Sequence, residues 1–289
     1  FLTEKQRKTR KIRHLLESNG LSEAISYALT TEEKARHFMT GESIPTCLDW
    51  PMTEERSTLR MNLTSGLLED VAYNIARKNH QLALYEIGNV FYQTDAASKE
   101  LPVEEQHVAI ALSGDWLLQD WQGKAEKVTY YHLKGILDHL FTGLDLADQV
   151  RYEQTSDLKE LHPGRTALVY LGEKLIGFVG QVHPSTAKAY DLPETYVAEL
   201  NLEAILNVET HFVFQTVSKF PSVSRDIALL VSETIPSQRI VQEIEAAAGK
   251  FLTEVAIFDV YQGDNIEAGH KSLAYHLTFA NPEATLTDE

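Results

Sequence analysis

The chain has 289 residues, 43% of them hydrophobic and 24% charged, with a net charge of −16. That length suffices for two domains with ordinary soluble-protein cores, and the acidic balance argues against a stand-alone nucleic-acid binder, which needs clustered Lys and Arg. A single cysteine, Cys47, excludes an internal disulfide and suits a reducing, cytoplasmic compartment, and no apolar run reaches membrane-spanning length. The chain opens without methionine and stops where a helix begins, near Thr287, so both ends read as cut.

The N-terminal segment predicts a helix. Thr3 and Gln6 form a capping-box pattern and Asn19-Gly20 closes it. Lys5 to Arg13 (KQRKTRKIR) is the one dense basic run, with Ile12, Leu15 and Leu16 beneath it. It reads as a solvated helix face, although local basic patches can meet RNA inside a larger assembly. Leu21 to Leu29 reads as a strand, followed by polar loops around Gly41–Pro45 and Trp50-Pro51.

The organising stretch is Ser57 to Tyr92, STLRMNLTSGLLEDVAYNIARKNHQLALYEIGNVFY, read as strand, helix, strand. Leu67, Leu68, Val71, Ala72, Ile75 and Ala76 recur at helical spacing. The segment Gln81–Tyr92 is rich in aromatic and β-branched residues and holds one carboxylate, Glu86. Burial there demands a partner or neutralisation, for which a neighbouring strand or helix suffices.

Glu105–Ser113 predicts a further strand. Trp116 and Trp121 are expected in a loop packed on the core, Thr129–Leu144 as an amphipathic helix, and Val150–Gln154 as a short strand. Leu161 to Pro184 predicts a hairpin turning at Gly172-Glu173, with Gly177 and Gly180 marking close backbone approach. His162 and His183 each precede a proline at its ends. Without further ligands at metal spacing they read as structural. Glu199–Leu206 reads as a strand running into a short helix.

From near His211 a second unit follows: a strand over Asp226–Val231, a helix from Pro236-Ser237 through Gly249, and strands over Leu252–Val260 and Lys271–Ala280. This β-α-β-β order is the opening of a ferredoxin-like βαββαβ unit whose last helix and strand would lie beyond Glu289, and without that strand a sheet position stays unpaired. No phosphate-binding GxxxxGK, no GxGxxG after a strand and no GxSxG elbow occurs. Ser222 and Ser224 lack evident His and Asp partners, and the Glu54-Glu55 and Glu104-Glu105 pairs carry no specific signal. Chemistry alone gives an acidic, two-domain α+β protein without a recognisable active site.

Several long stretches, RSTLRMNLTSGLLEDVAYN, LALYEIGNVF, YYHLKGILDHLF, LHPGRTALVYLGEKLIGFVGQVHP and FPSVSRDIALLV with FDVYQGDNIEAGHKSLAYHLTF, resemble in order the beta subunit of bacterial phenylalanyl-tRNA synthetases. The resemblance implies an antiparallel class II synthetase-like sheet flanked by helices over residues 1–208, catalytically silent, and a C-terminally truncated ferredoxin-fold anticodon-binding domain over 209–289. It implies a non-catalytic part of phenylalanine–tRNA ligase, an aminoacyl-tRNA synthetase of protein biosynthesis. An alpha subunit, in an α2β2 heterotetramer, would use ATP and Mg2+ to make phenylalanyl-adenylate and charge tRNA(Phe).

For this fragment alone it implies no activity, no catalytic residue, no cofactor, no metal, no editing and no membrane. Silence agrees with the residues. A working motif 2 needs an arginine on ATP phosphate and a glutamate two residues on, but Arg60 is followed by Met61 and Asn62. The counterpart of motif 3, Gly177–His183, has no arginine to receive a triphosphate. The chain departs from the family pattern at Asp49-Trp50-Pro51-Met52, where Asn-Pro-Leu-Ser is usual, and at Ser65-Gly66, where a proline usually precedes the glycine. Expected tRNA contacts are Phe220, Ser222, Arg225, Tyr261 and Lys271, by stacking and hydrogen bonding to single-stranded bases. For each a packing or ion-pairing role stays open, with Arg225 facing Asp226 or Asp259. Two other readings stay open: an autonomous ATP-using ligase built on Arg60, Glu86 and His183, and a protein-interaction scaffold without an RNA role.

Overall fold

A computed structural model describes residues 1–95, 100–209, 214 and 217–286. The chain divides into two compact units, Phe1–Thr210 and His211–Glu289. In chain order the elements are α1 (Glu4–Ser18), β1 (Ser22–Glu23), β2 (Leu29–Thr30), α2 (Glu32–Ala35), β3 (Thr58–Leu59), α3 (Thr64–Ile75), β4 (Gln81–Tyr92), β5 (Val103–Leu117), β6 (Glu126–Lys127), α4 (Tyr130–Gly143), β7 (Val150–Gln154), β8 (Leu161–Leu171), β9 (Lys174–Val182), α5 (Pro184–Ala189), β10 (Thr195–Asn201) and α6 (Leu202–Leu206). The second unit adds β11 (Val223–Ser232), α7 (Ser237–Ala248), β12 (Leu252–Tyr261) and β13 (His270–Phe279).

The first unit is built on one sheet of order β1-β4-β5-β10-β9-β8-β7, with β6 attached to β5. Every pairing is antiparallel except the short β1–β4 contact. Strand alternation divides the core into two layers. Tyr85, Val108, Ile110, Leu112, Ala198 and Leu200 face one side, where Ile12 and Leu16 of α1 and Leu133, Ile136, Leu137 and Leu140 of α4 cover them. Leu82, Ala109, Ala111 and Val197 face the other side, covered by Leu67, Leu68 and Val71 of α3. The expected α+β fold with a large antiparallel sheet flanked by helices is therefore present.

Local expectations hold where a side chain or glycine dictates them. Gln6 N donates to Thr3 Oγ1 and Thr3 N donates to Gln6 Oε1, closing the capping box. The 161–182 hairpin turns at Gly172 with φ +58°. A Cβ on Gly177 would lie 1.9 Å from Glu199 O, so only glycine lets β9 approach β10 there.

Two expectations are corrected. The strand expected over Leu21–Leu29 is two short pieces, β1 and β2, because residues between them turn inward: Ser26 N and Oγ reach Glu86, and Ala28 O accepts from Arg60 N. Trp116 lies within β5, one residue before its end, and packs against the core, but Trp121 is 89% exposed. Asp120 Oδ1 accepts from Gln122 N and Gly123 N, and this local turn leaves the indole in solvent.

The second unit has a three-stranded antiparallel sheet, β11-β13-β12. Ile227, Leu229, Leu273, Tyr275, Leu277 and Val255 face α7, where Ile240, Val241 and Ile244 meet them. Buried Tyr275 is satisfied by Ser237 Oγ at 2.9 Å. The helix start expected at Thr287 and the unit boundary expected near His211 lie outside the described residues.

Candidate functional site

In the first unit, one turn concentrates the polar chemistry. It leaves β3 at Arg60 and enters α3 at Thr64. Two buried carboxylates hold it. Glu86 on β4 and Glu199 on β10 both pair with Ala109 of β5, on opposite sides of it. They therefore stand in one cross-strand row, about 10 Å apart, on the α3 side of the sheet.

At the first carboxylate, Arg60 Nη1 donates to Glu86 Oε1 at 2.7 Å and Arg60 Nε to Asn89 O at 2.9 Å. Arg60 Nη1 also reaches Ser26 O at 3.4 Å. Ser26 Oγ lies 2.8 Å from Glu86 Oε2 and 2.9 Å from Asp70 Oδ2. Burial, with the neighbouring charge of Glu69, raises the Asp70 carboxyl against the lowering by the Ser26 hydrogen bond. Gly88 makes room for the guanidinium: a Cβ there would lie 2.3 Å from Arg60 Nη2. The partner that Glu86 requires is Arg60, in the turn after β3 and not on a neighbouring strand or helix as anticipated, and the pair is sequestered, with Arg60 9% and Glu86 2% exposed. The cleft alongside, about 260 Å³, also holds Tyr27, Lys34, Arg56 and Glu69, and Lys34 pairs with Glu69.

At the second carboxylate, Glu199 accepts from Leu63 N at 3.0 Å, Thr64 N at 3.0 Å and Thr64 Oγ1 at 2.6 Å. It caps α3 from a distant strand, since the α3 N-cap residue, Leu63, offers no side-chain acceptor. His107 Nδ1 lies 2.8 Å from Glu199 Oε1, and its Nε2 lies 3.6 Å from Glu105 Oε2. Burial pulls the imidazole pKa down, but Glu105 and Glu199 outweigh it and raise it to about 9. Burial likewise opposes ionisation of Glu199, yet His107, Thr64 and the Leu63 amide hold its pKa below the ordinary value. Between the two carboxylates, Asn62 Nδ2 donates to the carbonyls of Lys34, Ala35 and His37, and its Oδ1 accepts from Ser65 N.

This arrangement suits a structural clamp and not nucleotide binding. The guanidinium that a triphosphate would need is committed to Glu86 and two carbonyls, and the free amides at the start of α3 already hold a carboxylate. The residues therefore do not fit ATP. His183, the third member of the ligase alternative, spends Nδ1 on Ser185 as the N-cap of α5. His162 Nδ1 accepts from Gly164 N. Among the described residues no group of three or more His, Cys, Asp or Glu is placed to hold a metal ion.

In the second unit, register separates the five expected RNA contacts. Arg225 pairs with Leu277 and Lys271 with Val231, which puts both on the α7-side row, about 20 Å apart along β11. Arg225 Nη1 donates to Ser224 O, and Lys271 Nζ to Glu233 O. Asp226 pairs with His276 at 2.5 Å. Tyr261 pairs with Ser272 and so belongs to the opposite, helix-free face, with Ala228, Leu230, Ala274 and His276. Phe220, 38% exposed, and Ser222 lie in the segment leading into β11.

Comparison with known proteins fits both folds. Residues 2–202 match the family model described as "Phenylalanyl tRNA synthetase beta chain CLM domain", and residues 218–289 match "Ferredoxin-fold anticodon binding domain". The chain is 53% identical to phenylalanine–tRNA ligase beta subunits of Streptococcus pyogenes serotype M18, over 289 residues, and of Streptococcus pneumoniae strain R6, over 291. Each alignment covers 100% of this chain but 36% of the relative, so the chain spans about a third of the length of the relatives it matches. A solved pyrrolysyl-tRNA synthetase from Desulfitobacterium hafniense superposes with TM-score 0.49 and 14% identity, over 69% of this chain and 67% of that one. A synthetase-type module followed by an anticodon-binding module defines an aminoacyl-tRNA synthetase polypeptide. Within that class, the chain belongs to the phenylalanyl-tRNA synthetase beta chain family.

Sequence reasoning missed Glu199 and His107 as partners of the α3 start. The one local signal is an acidic residue interrupting an apolar strand, TYVAELN, as Glu86 interrupts LALYEIGNV.

Proposed function

We propose that the chain is the non-catalytic, partner-supporting part of a cytoplasmic phenylalanine–tRNA ligase and that its second unit binds the anticodon region of tRNA(Phe). A partner alpha chain, two copies with two of this one, would bind ATP, Mg2+ and phenylalanine and perform adenylation and transfer. The carrying observation is the closed Arg60: Nη1 donates to Glu86 and Ser26 and Nε to Asn89, inside the fold. An autonomous ligase using Arg60, Glu86 and His183 has no support in this geometry.

No helix among the described residues is long and apolar enough to cross a membrane. Of the five candidate contacts, Tyr261 is the one on the helix-free face, where a base can stack. Phe220 and Ser222 would flank the β11 end, and Arg225 and Lys271 would meet phosphates from the sheet's opposite ends. The test is ATP–pyrophosphate exchange and tRNA filter binding by the full-length beta chain, alone and with its alpha partner. Exchange only in the complex, with tRNA binding lowered by Tyr261→Ala, is expected. Exchange by the beta chain alone would overturn the reading.

A further inference from the structure

Helix α1 carries six of the chain's 26 lysines and arginines between Lys5 and Arg13. The fold sorts them into two sets. Lys5 pairs with Glu203 at 2.5 Å and Arg13 with Glu23 at 3.0 Å. Lys8 lies 3.5 Å from Glu4 and donates to the carbonyls of Leu206 and Val208, closing the end of α6. These three turn toward the body of the unit. The remaining three, Arg7, Arg10 and Lys11, are exposed and have no carboxylate within 4.0 Å among the described residues.

With His14 they fall at i, i+3, i+4 and i+7, one stripe about 100° wide. Buried Ile12 and Leu16 lie on the opposite side of the helix. The nearest acids are engaged elsewhere or flank the stripe. Glu17 accepts from Tyr85 OH at 3.1 Å, while Glu4 and Asp145 line the groove of about 300 Å³ between α1 and α6 that Arg7 and Lys11 border.

An unneutralised cationic stripe runs against a net charge of −16. A chain so acidic has ample carboxylates to pair these groups, and the fold pairs three of the six and leaves the other three together on one line. Guanidinium groups spaced one helical turn apart match a row of phosphates.

We propose that the exposed α1 stripe, Arg7, Arg10 and Lys11, is a second RNA-contact surface, gripping the sugar-phosphate backbone of the bound tRNA without reading bases. This rests on the reading that the enzyme binds tRNA. It adds a phosphate-only contact carried by the first unit to the base-contacting surface assigned to the second.

The test uses the complete enzyme and an unmodified tRNA(Phe) transcript, with filter binding measured over a range of salt. In R7Q/R10Q/K11Q the slope of log K against log salt should become shallower by about 2 to 3, with roughly tenfold or greater weakening at low salt. tRNA-independent ATP–pyrophosphate exchange and the unfolding temperature should stay at the wild-type values. K5Q/R13Q, which removes two paired charges, should change the slope by less than one.

An unchanged slope in a folded triple variant, with wild-type binding intact, would overturn this proposal alone. Weakened assembly with the alpha chain at an unchanged slope would do the same, assigning the stripe to an acidic protein surface. Failure of the wild-type enzyme to bind tRNA would instead remove the parent reading and this one with it.

Discussion

Glu86 and Glu199 face each other across a single residue, Ala109, and each fixes one end of the same five-residue turn. Glu86 holds Arg60 where the turn begins, and Glu199 holds Leu63 and Thr64 where the helix starts. Buried charge is expensive unless paired, so each carboxylate depends on the groups it secures.

Glu199→Gln removes one of the two carboxylate charges that balance His107 and weakens the cap of α3. The expected loss of stability is on the order of 3 kcal/mol, from a buried imidazolium left with Glu105 as its counter-charge and a poorer helix start. Chemical denaturation of the first unit checks it. A loss below about 0.5 kcal/mol would show that the pair does not hold the turn.

His107 gives a pH signature. Its folded pKa, about 9, lies above its ordinary 6.5, so its stabilising contribution is complete below about pH 6.5 and fades as pH rises through 9. Glu199 is shifted downward, so its contribution is present above the usual carboxylate range and fades on acidification through its lowered folded pKa. The stability difference between wild type and His107→Gln should therefore shrink between pH 6.5 and 9.5. A difference constant over that range would refute the assignment. The imidazole proton titration, followed by NMR, gives an independent reading.

Gly88→Ala places a methyl group 2.3 Å from Arg60 Nη2. The guanidinium must move, and the Glu86 pair opens. The expected cost is about 2–4 kcal/mol, comparable to breaking a buried ion pair by deleting a partner. Glu86→Gln should resemble it, and the double variant should cost less than the sum.

In the second unit, Tyr261→Ala should weaken tRNA(Phe) binding by about 1–3 kcal/mol if a base stacks on the ring. Tyr261→Phe should retain most of the affinity. Equal loss in both would shift the role to the hydroxyl, which lies 3.1 Å from Asn265 Nδ2.

How far the sequence carries can be judged element by element. Strands β4, β8 and β9 were legible because aromatic and β-branched runs stop at strong turn residues, as at Gly172-Glu173. The Glu86 environment was legible in kind, since a carboxylate inside LALYEIGNV has to be paired. Its partner was not assigned, because Arg60 reaches it only after the chain turns through α3 and back. The clamp at Glu199 was hidden for the same reason: its partners lie 92 to 136 positions away. The segment Leu21–Leu29 failed as one strand because its polar backbone is drawn onto Arg60 and Glu86, a tertiary demand that local propensity does not register.

Strand β5 is hydrogen-bonded along both flanks, to β4 through Gln81–Tyr92 and to β10 through Thr195–Asn201. Its amides from Val108 to Ser113 should be the last in the unit to exchange with deuterium, while the short β1 and β6 exchange early. The first unit then behaves as a plate with a stiff spine and yielding margins. A partner docked on the β6 margin can reshape it without disturbing the turn that the spine's two neighbouring strands hold, whereas the β1 margin is tied to that turn through Ser26 and Ala28.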